Sequence, residues 1–174
     1  MNNDSKSLLD SLVFTASEKW NMNPEQIMEN MSKIAFHESK YGTDEYKPIQ
    51  EGGGPGRGMF QFELGKAEGG HTAINRLISQ NKGVAPSFLE GIAQSDYDVS
   101  SLSPEQQQAI FLGNLLQMPN VKGKMPASFE GIDTDEELAD YWAQHHHAGT
   151  KVDTDAYNEM IGKFLGDMPY YGGM

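Results

Sequence analysis

Three segments of this chain carry the marks of a helix beginning, and together they restrict the fold more than any other feature. Asn23-Pro24-Glu25-Gln26 and Ser103-Pro104-Glu105-Gln106 each set a side-chain oxygen before a proline, with a glutamine at the third helical position. The oxygen accepts from a first-turn amide that has no helical partner, and the proline lacks the N–H that would go unpaired. The glutamine can reach back to the amide of the capping residue. Thr134-Asp135-Glu136-Glu137 repeats the pattern without the proline.

The apolar residues between these signals recur at helical spacing. Leu8, Leu9, Leu12, Ala16 and Trp20 predict a first helix over residues 5–19, which Asn21-Met22-Asn23 interrupts. Ile27, Met31, Ile34, Ala35 and Glu38 share one face of a second helix, running from Pro24 to about residue 40 and ended by Gly42. Further helices are expected over 71–80, 87–93, 104–117, 134–147 and 155–165. The tail Met168-Pro169-Tyr170-Tyr171-Gly172-Gly173-Met174 is expected to have no helical support. With no internal repeat or splitting linker, residues 1–174 read as a single, mostly α domain.

Between the second and third helices the chain turns glycine-rich, ending in Glu51-Gly52-Gly53-Gly54-Pro55-Gly56-Arg57-Gly58, and is expected to be loop. Met59-Phe60-Gln61-Phe62 is too short for periodicity to separate a small strand from an irregular wall segment.

Composition narrows the function. There is no cysteine, so disulfides, thiolate nucleophiles and zinc-thiolate sites are excluded and packing alone must hold the fold. With 13 Lys and Arg against 25 Asp and Glu, the net charge of −12 repels phosphate backbones, and no nucleic-acid partner is expected. No run of about 18 apolar residues and no secretory leader is visible, so no membrane insertion is expected.

The apolar stripe of the second helix runs straight into Glu38. Burial there would disfavour the ionised form and keep a carboxyl protonated near neutral pH, as a general acid requires. The competing reading is a glutamate at a helix end, reaching solvent or paired with His37 or Lys40.

Ile34-Ala35-Phe36-His37-Glu38-Ser39, followed by the glycine-rich loop and Gly58-Met59-Phe60-Gln61, resembles the glutamate-serine and glycine-leucine-methionine-glutamine elements of soluble lytic transglycosylases and goose-type lysozymes. The resemblance covers residues 24–63. It implies a lysozyme-like helical domain that cleaves peptidoglycan glycan strands without a cofactor. In that frame Glu38 matches the general acid and Ser39 the adjacent hydroxyl. Gln61 matches a polar contact in the saccharide cleft, Gly56 and Gly58 match positions where backbone passes close to sugar, and Met59, an apolar substitution in the same element, is carried with them as substrate-binding. Glu51 and Glu63 match acidic residues that position water in goose-type lysozymes. The family's alanine-tyrosine-asparagine-alanine-glycine element has only an outline here, Tyr141-Trp142-Ala143-Gln144-His145-His146-His147-Ala148-Gly149. His146 falls at the tyrosine position, and Tyr141 or Trp142 is the alternative aromatic wall.

The three histidines do not read as a metal site, because neighbours on a helix point about 100° apart and cannot converge on one ion. They read as a polar helix end. Asp153 and Asp155 read as a capping cluster; Asp44 and Glu45 lie near Glu38 in sequence without a matched position.

Classical glycosidases need two carboxylates, whereas a lytic transglycosylase uses one and closes an anhydro ring with the substrate's own hydroxyl. The matched Glu51 and Glu63 favour hydrolysis. A wall-binding or virion structural module without turnover, and a metal-dependent amidase, are the rival classes. The absent leader and the acidic charge point to a bacteriophage lytic protein, carried in the virion or released from the host cytoplasm with other lysis proteins.

Overall fold

The computed structural model describes residues 3–39, 49–64, 70–90, 92, 98–146 and 154–171. Among them six helices and one small hairpin form: α1 (Asn3–Trp20), α2 (Pro24–Ser39), β1 (Gly56–Arg57), β2 (Phe62–Glu63), α3 (Gly70–Gln80), α4 (Pro104–Gln117), α5 (Asp135–His146) and α6 (Thr154–Tyr171). Single 3-10 turns occupy Glu51–Gly53, Ser87–Leu89 and Val99–Ser101. The fold is mostly α, as the capping pattern demands.

The helix starts fall where the capping residues put them. Ser103 Oγ accepts from the Gln106 amide while Gln106 Oε1 accepts from the Ser103 amide at 2.9 Å, closing the reciprocal box. Thr134 and Glu137 do the same at α5, where Glu137 Oε2 also takes the Asp133 amide. At α2 Asn23 Oδ1 caps the Glu25 amide, but Gln26 turns forward and donates to Asn30 instead of back to the cap. Asn21 ends α1 with φ at 51°, and Met22 N–H returns to Ser17 carbonyl. This is the left-handed closure that asparagine tolerates.

α4 is the central element. Ala109, Ile110, Phe111, Leu112, Leu115 and Leu116 are all buried, so the middle of the helix is enclosed, with α1 and α3 packed against it. Gly113 permits the α3 contact, since a Cβ there would lie 2.5 Å from Leu77 Cδ1 and 3.1 Å from its Cα. Lys19 Nζ donates to the Leu116 carbonyl at 2.9 Å, placing a cation on the C-terminal end of α4. One contiguous apolar core reaches from Leu9 in α1 through α4 to Phe164 and Met168 in α6.

α5 and α6 pack together and both reach α2. Lys33 on α2 bonds Asp135 at the start of α5 at 2.6 Å and Glu29 at 2.7 Å. Burial works against its charge, but these two carboxylates outweigh it and hold the ammonium above its ordinary range.

Two expectations are corrected and one open choice is decided. The described residues 87–90 and 92 do not form the expected α-helix: Leu89, Glu90 and Ile92 each bond back three residues, in 3-10 turns, and 91 and 93 lie outside the described residues. α6 does not stop near 165 but continues to Tyr171. Met168, one turn beyond Phe164 on the same face, is buried in the core, and that contact carries the helix past the expected end. Of the two readings left open for Met59 to Phe62, the brief strand holds at its end: the Gly58–Gln61 turn joins β1 to β2, Phe62 pairs with Arg57 and Gly56 lies opposite Glu63 in antiparallel register. The expected stop at Gly42, and Asp44, Glu45, His147 and Asp153, lie outside the described residues. No described helix is long and apolar enough to cross a membrane.

Candidate active site

Glu38 occupies the last turn of α2, on the face that Ile34 and Ala35 bury. It keeps an edge at the surface, yet most of what surrounds it is protein. Burial pushes its carboxyl up to about 7, opposed by one hydrogen bond that favours the ionised form. That bond comes from Trp142 on α5, whose indole Nε1–H donates to Glu38 Oε1 at 2.6 Å. It is the single hydrogen bond of the Glu38 side chain among the described residues. With Oε1 taken as an acceptor, the acidic proton belongs on Oε2.

Trp142 is itself enclosed. The His37 ring meets it edge to face at 4.3 Å, and Phe164 on α6 lies 5.4 Å away. His37 Nδ1 lies 2.6 Å from Asp167 Oδ2, one turn beyond Phe164. Three helices thus converge on one carboxyl: α2 brings His37 and Glu38, α5 brings Trp142, and α6 brings Phe164 and Asp167. This arrangement can hold a proton near neutral pH and release it to a basic oxygen placed against Oε2.

The second matched element sits on different support. Phe60 stacks on Phe111 of α4 at 4.1 Å with planes 12° apart, anchoring the hairpin to the central helix. Beneath the turn, fully buried Gln107 accepts the Met59 amide at 2.8 Å and donates to the Leu102 carbonyl at 3.0 Å. Gly58 has φ at 74°, and a Cβ there would run into Gln107 Oε1. Its glycine is required by this buried amide and by the left-handed backbone. Replacing Gln107 with Met keeps the volume but leaves two buried backbone groups unpaired. A loss on the order of 2 kcal/mol is expected in urea unfolding. An unchanged midpoint would show that the turn does not depend on this residue.

The other matched residues have these surroundings in the fold. Met59 is buried in the core at 3% exposure, so it presents no surface to a sugar. Gln61, with φ at 51°, turns its amide inward to donate to the Gly58 carbonyl at 2.8 Å, closing the hairpin. Ser39 Oγ donates to the Ala35 carbonyl one turn back. Tyr141 is fully buried, edge-on to Phe129 at 5.3 Å, and cannot wall a cleft; its neighbour Trp142, a helical step of about 100° round α5, faces Glu38 instead. The histidine run is not a polar end throughout. His145 is buried against Tyr141 with its Nε2–H donating to the Met125 carbonyl, and burial lowers its pKa.

Glu63 lies half-buried on β2, opposite Gly56. Glu51 opens the 3-10 turn Glu51–Gly53 and His146 ends α5; their side chains lie outside the described residues. Among the described residues no group of three or more His, Asp or Glu side chains is placed to hold a metal ion. An open depression of about 420 Å3 is lined by Asp135, Glu136, Leu165 and Met168, at the opposite end of α5 from Trp142. It carries no group with a matched chemical role, and the Glu38 cluster is the better candidate.

Sequence reasoning passed over Asp167 and Gln107. Each is a polar residue on an apolar stripe, Phe164-Asp167-Met168 and Gln107-Ile110-Phe111, the same signal that singles out Glu38. Comparison with protein-family models, curated proteins and solved structures found no match.

Proposed function

We propose that this chain is a muramidase that cleaves the β-1,4 bond between N-acetylmuramic acid and N-acetylglucosamine in peptidoglycan, with Glu38 as general acid. The observation that carries the reading is the state of Glu38, a desolvated carboxyl held near 7, with one oxygen fixed by an indole and the other able to carry the proton. A group of that pKa is protonated often enough at neutral pH, and acidic enough, to give its proton to a departing glycosidic oxygen. The paired sequence elements around Glu38 and Gly58-Met59-Phe60-Gln61 supply the substrate class.

We read the outcome as hydrolysis, since Glu51 and Glu63 match water-positioning carboxylates. Mass spectrometry of digested peptidoglycan tests this directly, because reducing and anhydro ends differ by one water. Reducing ends are expected, and either Glu51→Gln or Glu63→Gln should suppress their formation while substrate binding persists. Anhydro products with both variants near full rate would instead assign the closing step to the substrate's own hydroxyl, whose tethering gives it a high effective concentration. Wall binding without any cleavage would assign the chain to a binding module, and chelator-sensitive release of stem peptides to an amidase.

A further inference from the structure

We propose that Asp167 and His37 are positioning residues for the Glu38 carboxyl, acting through Trp142: the Asp167 carboxylate fixes the His37 imidazole, the imidazole braces the indole, and the indole holds Glu38 Oε1. The catalytic meaning of this rests on the reading of Glu38 as general acid.

The geometry is continuous. Asp167 Oδ2 to His37 Nδ1 spans 2.6 Å, the His37 and Trp142 ring centres lie 4.3 Å apart at 76°, and Trp142 Nε1 to Glu38 Oε1 spans 2.6 Å. A carboxylate accepts and does not donate, so His37 Nδ1 carries the hydrogen, and the ring cannot flip without losing that bond. Phe164 closes the remaining side, 4.9 Å from the His37 ring and 5.4 Å from the indole.

Packing alone does not explain the pair. The Asp167 and His37 side chains are 19% and 13% exposed, and Asp167 shares its helix face with the buried Phe164 and Met168. Taking such groups from water is costly, and apolar residues of similar volume often stabilise a fold as well or better. The pair supplies direction instead. With Nδ1 tied down, the imidazole presents a fixed edge to the indole, which leaves the indole N–H aimed at one carboxyl oxygen.

The test uses Asp167→Leu, which removes the acceptor, and Asp167→Asn, whose amide oxygen can still accept from His37 Nδ1. The chain has two tryptophans, so the Trp142 indole N–H resonance is assigned by its loss in Trp142→Phe. In Asp167→Leu that N–H should shift and exchange with solvent about tenfold faster, roughly the worth of one ordinary hydrogen bond. Peptidoglycan kcat should fall about tenfold with KM unchanged, and Asp167→Asn should recover most of both. A folded Asp167→Leu protein with an unaltered indole resonance and unaltered kcat overturns the proposal. If Asp167→Leu does not fold, His37→Phe decides, since it keeps a ring against Trp142 and Phe164 but cannot bond Asp167. It should show the same indole changes, and an unaltered resonance overturns the proposal. Should the wild-type chain leave peptidoglycan uncut, the muramidase reading fails, and the indole resonance alone still decides whether Asp167 and His37 position Trp142.

Discussion

Glu38→Gln is expected to lower peptidoglycan turnover by about 100- to 10,000-fold while leaving the fold intact, the range that general acid catalysis supplies. The amide fills the same volume, and its oxygen can still accept the Trp142 indole N–H that now reaches Glu38 Oε1. Only the acidic proton is lost. With Glu38 as the proposed acid, the protonated form of the wild-type chain is the active one, so the rate should fall as pH rises through about 7, the value to which burial pushes the carboxyl. The variant's residual rate should show no such limb. Release of soluble glycan fragments across pH 5 to 9 measures both. A Glu38→Gln protein that kept a third of wild-type turnover would place the acid elsewhere.

The helix starts were legible in the sequence because capping is local chemistry. Ser103 with Gln106, and Thr134 with Glu137, find their partners within one turn, so nothing distant can override them. The end of α6 was not legible for the opposite reason. Pro169 and the glycines after it argue locally for a stop, and only the burial of Met168 in a core assembled from other helices extends α6 to Tyr171. Residues 87–90 and 92 failed in the other direction, where an apolar stretch invited a helix and the backbone settled into bonds three residues apart.

The site divides along the same line. Glu38 was legible because a carboxylate interrupting the stripe Ile27, Met31, Ile34 is visible in one helix. Its partner was not, since nothing in the spacing of α5 tells Tyr141 from Trp142 until Phe129, in the connection between α4 and α5, claims one face and Glu38 of α2 the other. Gly58 shows how one residue can carry a requirement that the sequence leaves hidden. Its left-handed backbone is a real requirement, but what crowds the missing Cβ is Gln107, a residue far along the chain that only the packed α4 brings beneath the turn.

The desolvation that suits Glu38 to the proposed role of general acid should also weaken the fold as pH rises, which a pair of unfolding curves can measure. In the unfolded chain the carboxyl loses its proton near 4.5; in the folded protein it holds on until about 7. Below 4.5 both states are protonated and Glu38 costs nothing. Between about 4.5 and 7 the folded state binds the extra proton, so each step up in pH favours unfolding, and above 7 the difference is constant. The full effect is about 3 kcal/mol, taking each pKa unit as about 1.36 kcal/mol. Glu137 and Glu159, whose hydrogen bonds lower their pKa, lose their contributions only as pH falls below the ordinary carboxylate range and leave this window clear. His145, lowered by burial, has the opposite slope below 6.5, but wild type and variant share it. The stability difference between Glu38→Gln and wild type isolates Glu38: it should grow by about 3 kcal/mol in favour of the variant between pH 4 and pH 8 in urea unfolding. Curves that run parallel across that range would show that Glu38 is not desolvated in the folded protein, and would remove the physical ground for making it the acid.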